Sequence, residues 1–347
     1  MAEAIGYRAP LKAPLSVCIW ISDVCNLACK YCYASPFSGK IIKPVRLYQI
    51  LDELINLQVF GIVLAGGEPF MHPAIFEIIE YCVNRNVQLG VLSNGALLDK
   101  EAIHKLAGIV RNKRFILQIS LDSIHPEIND KSRGAGSKII ENIKELSKTD
   151  IRMQMATVVT KYNFENAHRV IGEFYPAIKR YHFLNVQRTE QSLKNPDLLI
   201  SSEEAKEFWL GLKEYAKKFP DDLFLPSLRI MLRAAQAEDS VEMNSFHHQA
   251  TFDCKTCSVG LTHINIDAEL NVLGCDIAKD FTNMGNVKKL SFSEVWNSKQ
   301  AYEVRTPDFP PCYKNKTPEG EALQDYLKDE FIRDLPCQPL LNTLTFV

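Results

Sequence analysis

Between residues 15 and 219 the chain alternates short apolar runs of strand character with longer segments of helical spacing, six times over. Leu15–Val24 is followed by Val45–Val59, where Leu47, Ile50, Leu51, Leu54 and Ile55 share one helix face. Gly61–Ala65 precedes Pro73–Asn86, read as a helix opened by its proline. Val87–Leu92 with Lys100–Ile109, Phe115–Leu121 with Lys138–Ser147, Met153–Thr160 with Phe164–Tyr175, and His182–Val186 with Glu203–Phe219 complete the series. Such alternation calls for parallel strands covered by helices, an α/β fold. Six units make either an open sheet or an incomplete barrel, and periodicity does not choose between them. In both, ligands gather at the carboxyl ends of the strands. The polar and glycine-rich segments of this chain fall at those ends.

After about residue 240 the pattern changes to cysteines, glycines and short turns: Cys254, Cys257, Gly260, Gly274, Cys275, Gly285. Two domains are expected, 1–240 and 241–347. A loop-rich segment has a thin apolar core, and a metal centre is one way to staple it. A formal net charge of −2 over 347 residues argues against a general nucleic-acid or membrane-surface binder. Met1–Pro14 has no apolar signal-peptide core, and no apolar run approaches the length of a membrane span. A soluble, cytoplasmic protein is expected.

The chain has ten cysteines, and reduced cytosolic thiols need an explanation other than disulfides. Six fall in two groups, Cys25, Cys29, Cys32 and Cys254, Cys257, Cys275. The first group follows directly on the first strand. Its Cys-x3-Cys-x2-Cys spacing lets one loop offer three thiolates to three irons of a cubane, leaving a fourth iron open for a cofactor. A zinc site completed from elsewhere is the competing reading, since zinc closes its shell with four ligands. Cys18 and Cys82 sit among apolar residues and read as core thiols. His72 reads as either a cofactor-pocket residue or a cap before Pro73.

The segment Cys25-Asn-Leu-Ala-Cys29-Lys-Tyr31-Cys32 resembles the signature of the radical S-adenosylmethionine (SAM) enzymes, and other segments resemble that family in the same order. Ala65-Gly66-Gly67-Glu68-Pro69 is similar to its GGEP motif, Ser93-Asn94-Gly95 ends the third strand, and Ser120-Leu121-Asp122-Ser123 ends the fourth, before Arg133-Gly134. The resemblance implies a partial (β/α)6 TIM-like barrel holding a [4Fe–4S] cluster on Cys25, Cys29 and Cys32. It places Tyr31 near the adenine of SAM, with Gly66 and Gly67 allowing close backbone approach. It makes Glu68 an acceptor for the methionine ammonium. Ser93 and Asn94 are expected at the ribose, Ser120 and Arg133 at the methionine carboxylate, and Asp122 at ribose or substrate. The activity implied is reductive cleavage of SAM to a 5′-deoxyadenosyl radical that abstracts a hydrogen atom from substrate.

The order Cys254-x2-Cys257, Gly274-Cys275, Gly285-Asn286 and Glu294-Val295-Trp296 resembles the SPASM extension of that family, or its shorter form, twitch. That implies one auxiliary [4Fe–4S] cluster, on Cys257, Cys275, Cys312 and Cys337. Cys254 is then a spare thiol, inert or a hydrogen-atom donor to a substrate radical. A three-ligand site of Cys254, Cys257 and Cys275 is the alternative, and a structural zinc site a further one. The family's glycine is replaced here by Leu270. His263 and Asp276 flank these cysteines as candidate substrate contacts.

The resemblance implies an enzyme, either a maturase of ribosomally made peptides or an oxidoreductase or epimerase of a small molecule such as an aminocyclitol or sugar. It implies a reductant such as flavodoxin or ferredoxin. Fewer than 20 residues precede the first strand. A peptide substrate is therefore expected to need a separate leader-binding protein, or no leader recognition. A non-catalytic iron–sulfur or zinc protein is the rival from another class.

Overall fold

The computed structural model describes residues 11–34, 37–186, 189–225, 260, 262–275 and 279–305. Nine strands form one sheet in the order β6-β5-β4-β3-β2-β1-β7-β8-β9. The first six, β1 (Ser16–Ser22), β2 (Gly61–Gly66), β3 (Gln88–Ser93), β4 (Phe115–Ser120), β5 (Met153–Val159) and β6 (Tyr181–Asn185), are consecutive, parallel neighbours. Each alternates its side chains between two faces. Val17, Ile19, Ile62, Leu64, Leu89, Val91, Leu117 and Ile119 face outward into the main core. Cys18, Trp20, Val63 and Ala65 form a separate inner cluster with Leu92 and Ile116 against it.

The outer core is closed by amphipathic helices. Helix α1 (Pro44–Asn56) starts with Pro at its first turn and buries Leu47, Ile50, Leu51 and Leu54 completely. Helix α2 spans Ile75–Val83, so Pro73 lies before it and does not open it. The first turn there is taken by a 3-10 segment, Pro69–Met71, capped by Glu68. Asp99 caps α3 (Lys100–Val110) by accepting the Ala102 N–H at 2.9 Å. Two short helices, α4 (Pro126–Ser132) and α5 (Gly136–Leu146), follow β4, where the sequence reading had only the second. Helix α6 (Arg169–Phe174) is shorter than the run that suggested it. Helix α7 (Glu190–Leu193) is one turn, and α8 (Ser202–Ala216) opens with a Ser201/Glu204 capping box.

Beyond β6 the sheet continues at its other edge. Strand β7 (His263–Ile266) pairs parallel to β1, with His263 level with Ser16, and β8 (Asn271–Leu273) and β9 (Asn283–Asn286) follow antiparallel. The turn into β8 puts Leu270 at φ 72, the left-handed backbone that glycine adopts at least cost. The family's glycine geometry survives there without the glycine. Arg46 of α1 donates from Nε to the Val287 carbonyl at 2.8 Å and from Nη2 to that of Leu290 at 2.8 Å. The Trp296 indole donates to the Leu11 carbonyl at 3.0 Å. The described part of the C-terminal segment is thus hydrogen-bonded to the barrel. Among the described residues no helix is long and apolar enough to cross a membrane.

Candidate active site

One cavity opens at the carboxyl ends of the strands and encloses about 1200 Å³, counting the part open to solvent. Cys25, Cys29 and Cys32 line it together with Tyr31, Gly66, Gly67, Ser93, Asn94, Ser120 and Arg133. Residues from the ends of β2, β3 and β4, the loop after β1 and Arg133 beyond α4 therefore meet where parallel sheets place their ligands. None of the three cysteines is in a disulfide.

The loop is held by backbone contacts that only glycine permits. A Cβ on Gly66, at φ 131, would lie 2.1 Å from the Ser22 carbonyl oxygen. One on Gly67 would lie 2.3 Å from that of Val24 and 3.1 Å from the Cys25 Cβ. Gly67 N–H donates to Ser22 O at 2.8 Å, and Glu68 N–H to Val24 O at 2.8 Å. The two glycines line the cavity and also make room for the cysteine loop itself.

Glu68 is fully buried and is not among the cavity-lining residues. Its Oε1 accepts from Ser93 Oγ at 2.9 Å and Phe70 N at 3.1 Å, and its Oε2 from Asn94 N at 2.7 Å. Burial pushes its pKa up to about 7 against the opposing pull of those hydrogen bonds. The Asn94 side chain donates to Asn26 Oδ1 at 2.8 Å and approaches Cys25 Sγ at 3.9 Å. Glu68 and Asn94 thus brace the loop from behind.

Asp122 is 1% exposed and likewise not in the cavity lining. It accepts from the Tyr31 hydroxyl and from Arg133 Nε and Nη2, both at 3.3 Å. Burial and Asp122 push the Tyr31 pKa well up, although the Arg133 charge opposes this. Burial also pushes the Cys29 thiol up to about 12, with Arg133 opposing, so ligation must displace bound protons.

Among the described residues no three His, Cys, Asp or Glu side chains converge to hold one metal ion. The three thiols line one cavity, and their Cys-x3-Cys-x2-Cys spacing suits ligands to separate irons of one cluster. Cys25, Cys29 and Cys32 would hold such a cluster, in a cavity that Ser120 and Arg133 also line.

The remaining predicted residues separate clearly. Cys275, 9% exposed, lies two residues beyond β8, where its N–H and carbonyl both bond Thr282 Oγ1 at 2.9 Å. Cys254, Cys257, Cys312, Cys337 and Asp276 lie outside the described residues. Cys18 and Cys82 are buried core thiols. His72 is a structural bridge: its ring meets the Ile42 carbonyl at 3.0 Å and accepts the Ala74 N–H at 3.1 Å. His263 is buried on β7, and the cavity lining does not include it. The sequence reading missed Trp20, Tyr33, Phe37, Gln118 and Asn185 in the lining. Strand alternation was the available signal for one of them, since Gln118 precedes Ser120 by two.

A family model described as the radical SAM superfamily matches residues 19–173, which include every one of these strand-end motifs. Those residues form a radical SAM domain. A second model, for the SPASM iron–sulfur cluster-binding domain, matches residues 257–316. That span contains Cys257, Cys275 and Cys312 but neither Cys254 nor Cys337. The radical SAM domain brings a [4Fe–4S] cluster and SAM as cofactors, and the SPASM domain brings an auxiliary iron–sulfur cluster.

Among radical SAM relatives, the mycofactocin maturase MftC of Mycolicibacterium smegmatis is 31% identical over 202 residues, 55% of this chain and 49% of the relative. The chain thus spans about half the length of that curated relative. The AdoMet-dependent heme synthase of Methanosarcina barkeri is 23% identical over 313 residues, covering 86% of this chain and 87% of the relative. The crystal structure of Streptococcus suis SuiB bound to S-adenosylmethionine superposes with a TM-score of 0.70 at 16% identity, over 96% of this chain and 75% of SuiB. SuiB has also been solved bound to its precursor peptide SuiA. At that identity the likeness is one of fold.

Proposed function

We propose that this chain is a radical SAM peptide maturase: it cleaves SAM reductively at the cluster held by Cys25, Cys29 and Cys32 and abstracts a hydrogen atom from a peptide. The observation that carries the reading is the meeting of those three thiols with Ser93, Ser120 and Arg133 in one cavity. When bound, the cluster and SAM supply one-electron cleavage to a carbon-centred radical, with the electron drawn from a reductant such as flavodoxin or ferredoxin.

The chain's own residues do the rest. The buried Arg133 keeps its charge and offers unused guanidinium N–H groups to the methionine carboxylate. Ser120 adds a hydroxyl from the same strand end. Tyr31 closes the cofactor side, packed with Val186 and Leu198. Trp20, Ala65, Leu92, Ala156, Val158 and Leu184 add apolar surface to the lining, which limits water around a reactive species. The auxiliary cluster is assigned to Cys257, Cys275, Cys312 and Cys337, with Cys254 as a spare thiol, inert or a hydrogen-atom donor to a substrate radical.

A peptide substrate is supported by the relatives named as maturases and by the SuiB fold. A small-molecule substrate is the second reading, because the heme synthase matches across nearly its whole length. The test is to supply reconstituted enzyme, SAM and reductant with a deuterated short peptide encoded beside its gene. The maturase reading expects deuterium in 5′-deoxyadenosine and a mass change in the peptide. Turnover of a small molecule with peptides left unchanged contradicts it.

A further inference from the structure

The family order of motifs suggested a direct contact between Asp122 and ribose or substrate, and the geometry points elsewhere. We propose that Asp122 is a positioning residue whose carboxylate clamps Tyr31 of the cysteine loop to Arg133, so that the carboxylate-binding guanidinium is fixed relative to the cluster. This rests on the reading of the cavity as a SAM site.

Every face of Asp122 is engaged. Oδ2 accepts from the Tyr31 hydroxyl, from Arg133 Nε at 3.3 Å and from Ser132 Oγ at 3.4 Å. Oδ1 accepts from Arg133 Nη2 at 3.3 Å and from the Val158 N–H at 3.0 Å. Its backbone is held as well: its N–H donates to Asn129 Oδ1 at 3.0 Å, and its carbonyl accepts from Asn163 Nδ2 at 2.7 Å. Five donors on one carboxylate leave no lone pair for a sugar hydroxyl. Tyr31 and Arg133 line the cavity, while Asp122 stands behind them.

The clamp joins two segments far apart in sequence. Tyr31 lies between Cys29 and Cys32, and Arg133 follows α4. The Lys30 N–H donates to the Ser132 carbonyl at 2.9 Å, the Cys29 thiol approaches the Arg133 carbonyl at 3.8 Å, and the guanidinium lies 5.6 Å from the Tyr31 ring centre. Arg133 is 9% exposed, so its charge needs a partner inside the protein. An amide at position 122 would have one acceptor oxygen for donors that now share two, and would turn an N–H₂ group toward donors. The guanidinium would then lose its fixed seat.

Asp122→Asn protein, anaerobically reconstituted, separates the two roles by its affinity for SAM and for L-methionine, which has the carboxylate and ammonium but no ribose. Binding is read from the change each ligand makes in the electron paramagnetic resonance spectrum of the reduced cluster, with iron content measured alongside. A clamp acting through Arg133 weakens SAM and methionine by a common factor, about 10–100-fold, the range for residues that orient a ligand at second hand. Should Asp122→Asn fail to fold, Tyr31→Phe removes one arm of the clamp and is expected to weaken both ligands together by about 2–10-fold. Loss of SAM affinity with methionine unchanged means a direct ribose contact and overturns the proposal, as does wild-type affinity for both. Failure of the wild-type protein to bind SAM overturns the SAM-site reading instead.

Discussion

The Glu68 carboxylate accepts the backbone N–H of Asn94 at 2.7 Å, tying the end of β2 to the end of β3 directly behind the cysteine loop. Glu68 is fully buried, and its carboxylate takes three donors, two of them in buried hydrogen bonds. Glu68→Ala is expected to cost the cluster-free protein about 3 kcal/mol by leaving those donors unpaired. The check is a thermal unfolding comparison, in which Glu68→Gln, retaining one acceptor, loses less.

Gly67→Ala is expected to lower the iron taken up on reconstitution, because its Cβ would fall 2.3 Å from Val24 O and displace the loop carrying Cys25. Gly108 is the internal control. It is exposed in α3 with nothing within 4 Å of its Cβ position, so Gly108→Ala should stabilise by about 0.5–1 kcal/mol and leave iron content unchanged.

His182 gives the fold a pH dependence. It is 1% exposed on β6, neither ring nitrogen has a partner among the described residues, and burial, with Arg180 adding to it, lowers its pKa to about 3. The unfolded chain takes up a proton near pH 6.5 that the folded chain refuses. Stability from this group is therefore intact above pH 6.5 and is lost as pH falls from there toward 3. Between pH 7 and pH 5 the loss should be about 2 kcal/mol. Unfolding midpoints at the two pH values should differ less in His182→Leu than in the wild type.

Cys275→Ala should remove the iron of one cluster, about four atoms per chain. Dithionite-driven SAM cleavage at the first site should persist. Iron and sulfide analysis beside the 5′-deoxyadenosine yield checks both.

The strands were legible because apolar periodicity is set by burial, and it recurs with little interruption from β1 to β6. The cysteine loop and the strand-end motifs were legible because they are local in sequence. What was hidden is what depends on partners distant in sequence. The burial of Glu68 depends on its contacts with Ser93 and Asn94, and the engagement of the Asp122 carboxylate depends on Tyr31, Arg133 and Val158. The parallel pairing of β7 with β1 joins residues some 245 positions apart, and no local pattern carries such a register. Helix α4 escaped notice because seven residues are too few to establish a period.

The central claim is tested most directly by counting 5′-deoxyadenosine from anaerobically reconstituted protein given SAM and dithionite, beside a Cys25→Ala, Cys29→Ala, Cys32→Ala triple variant. The account predicts nucleoside from the wild-type chain and none from the triple variant, with matching circular dichroism. Cleavage by the triple variant at the wild-type rate, or none from wild-type protein with its full iron content, would contradict it.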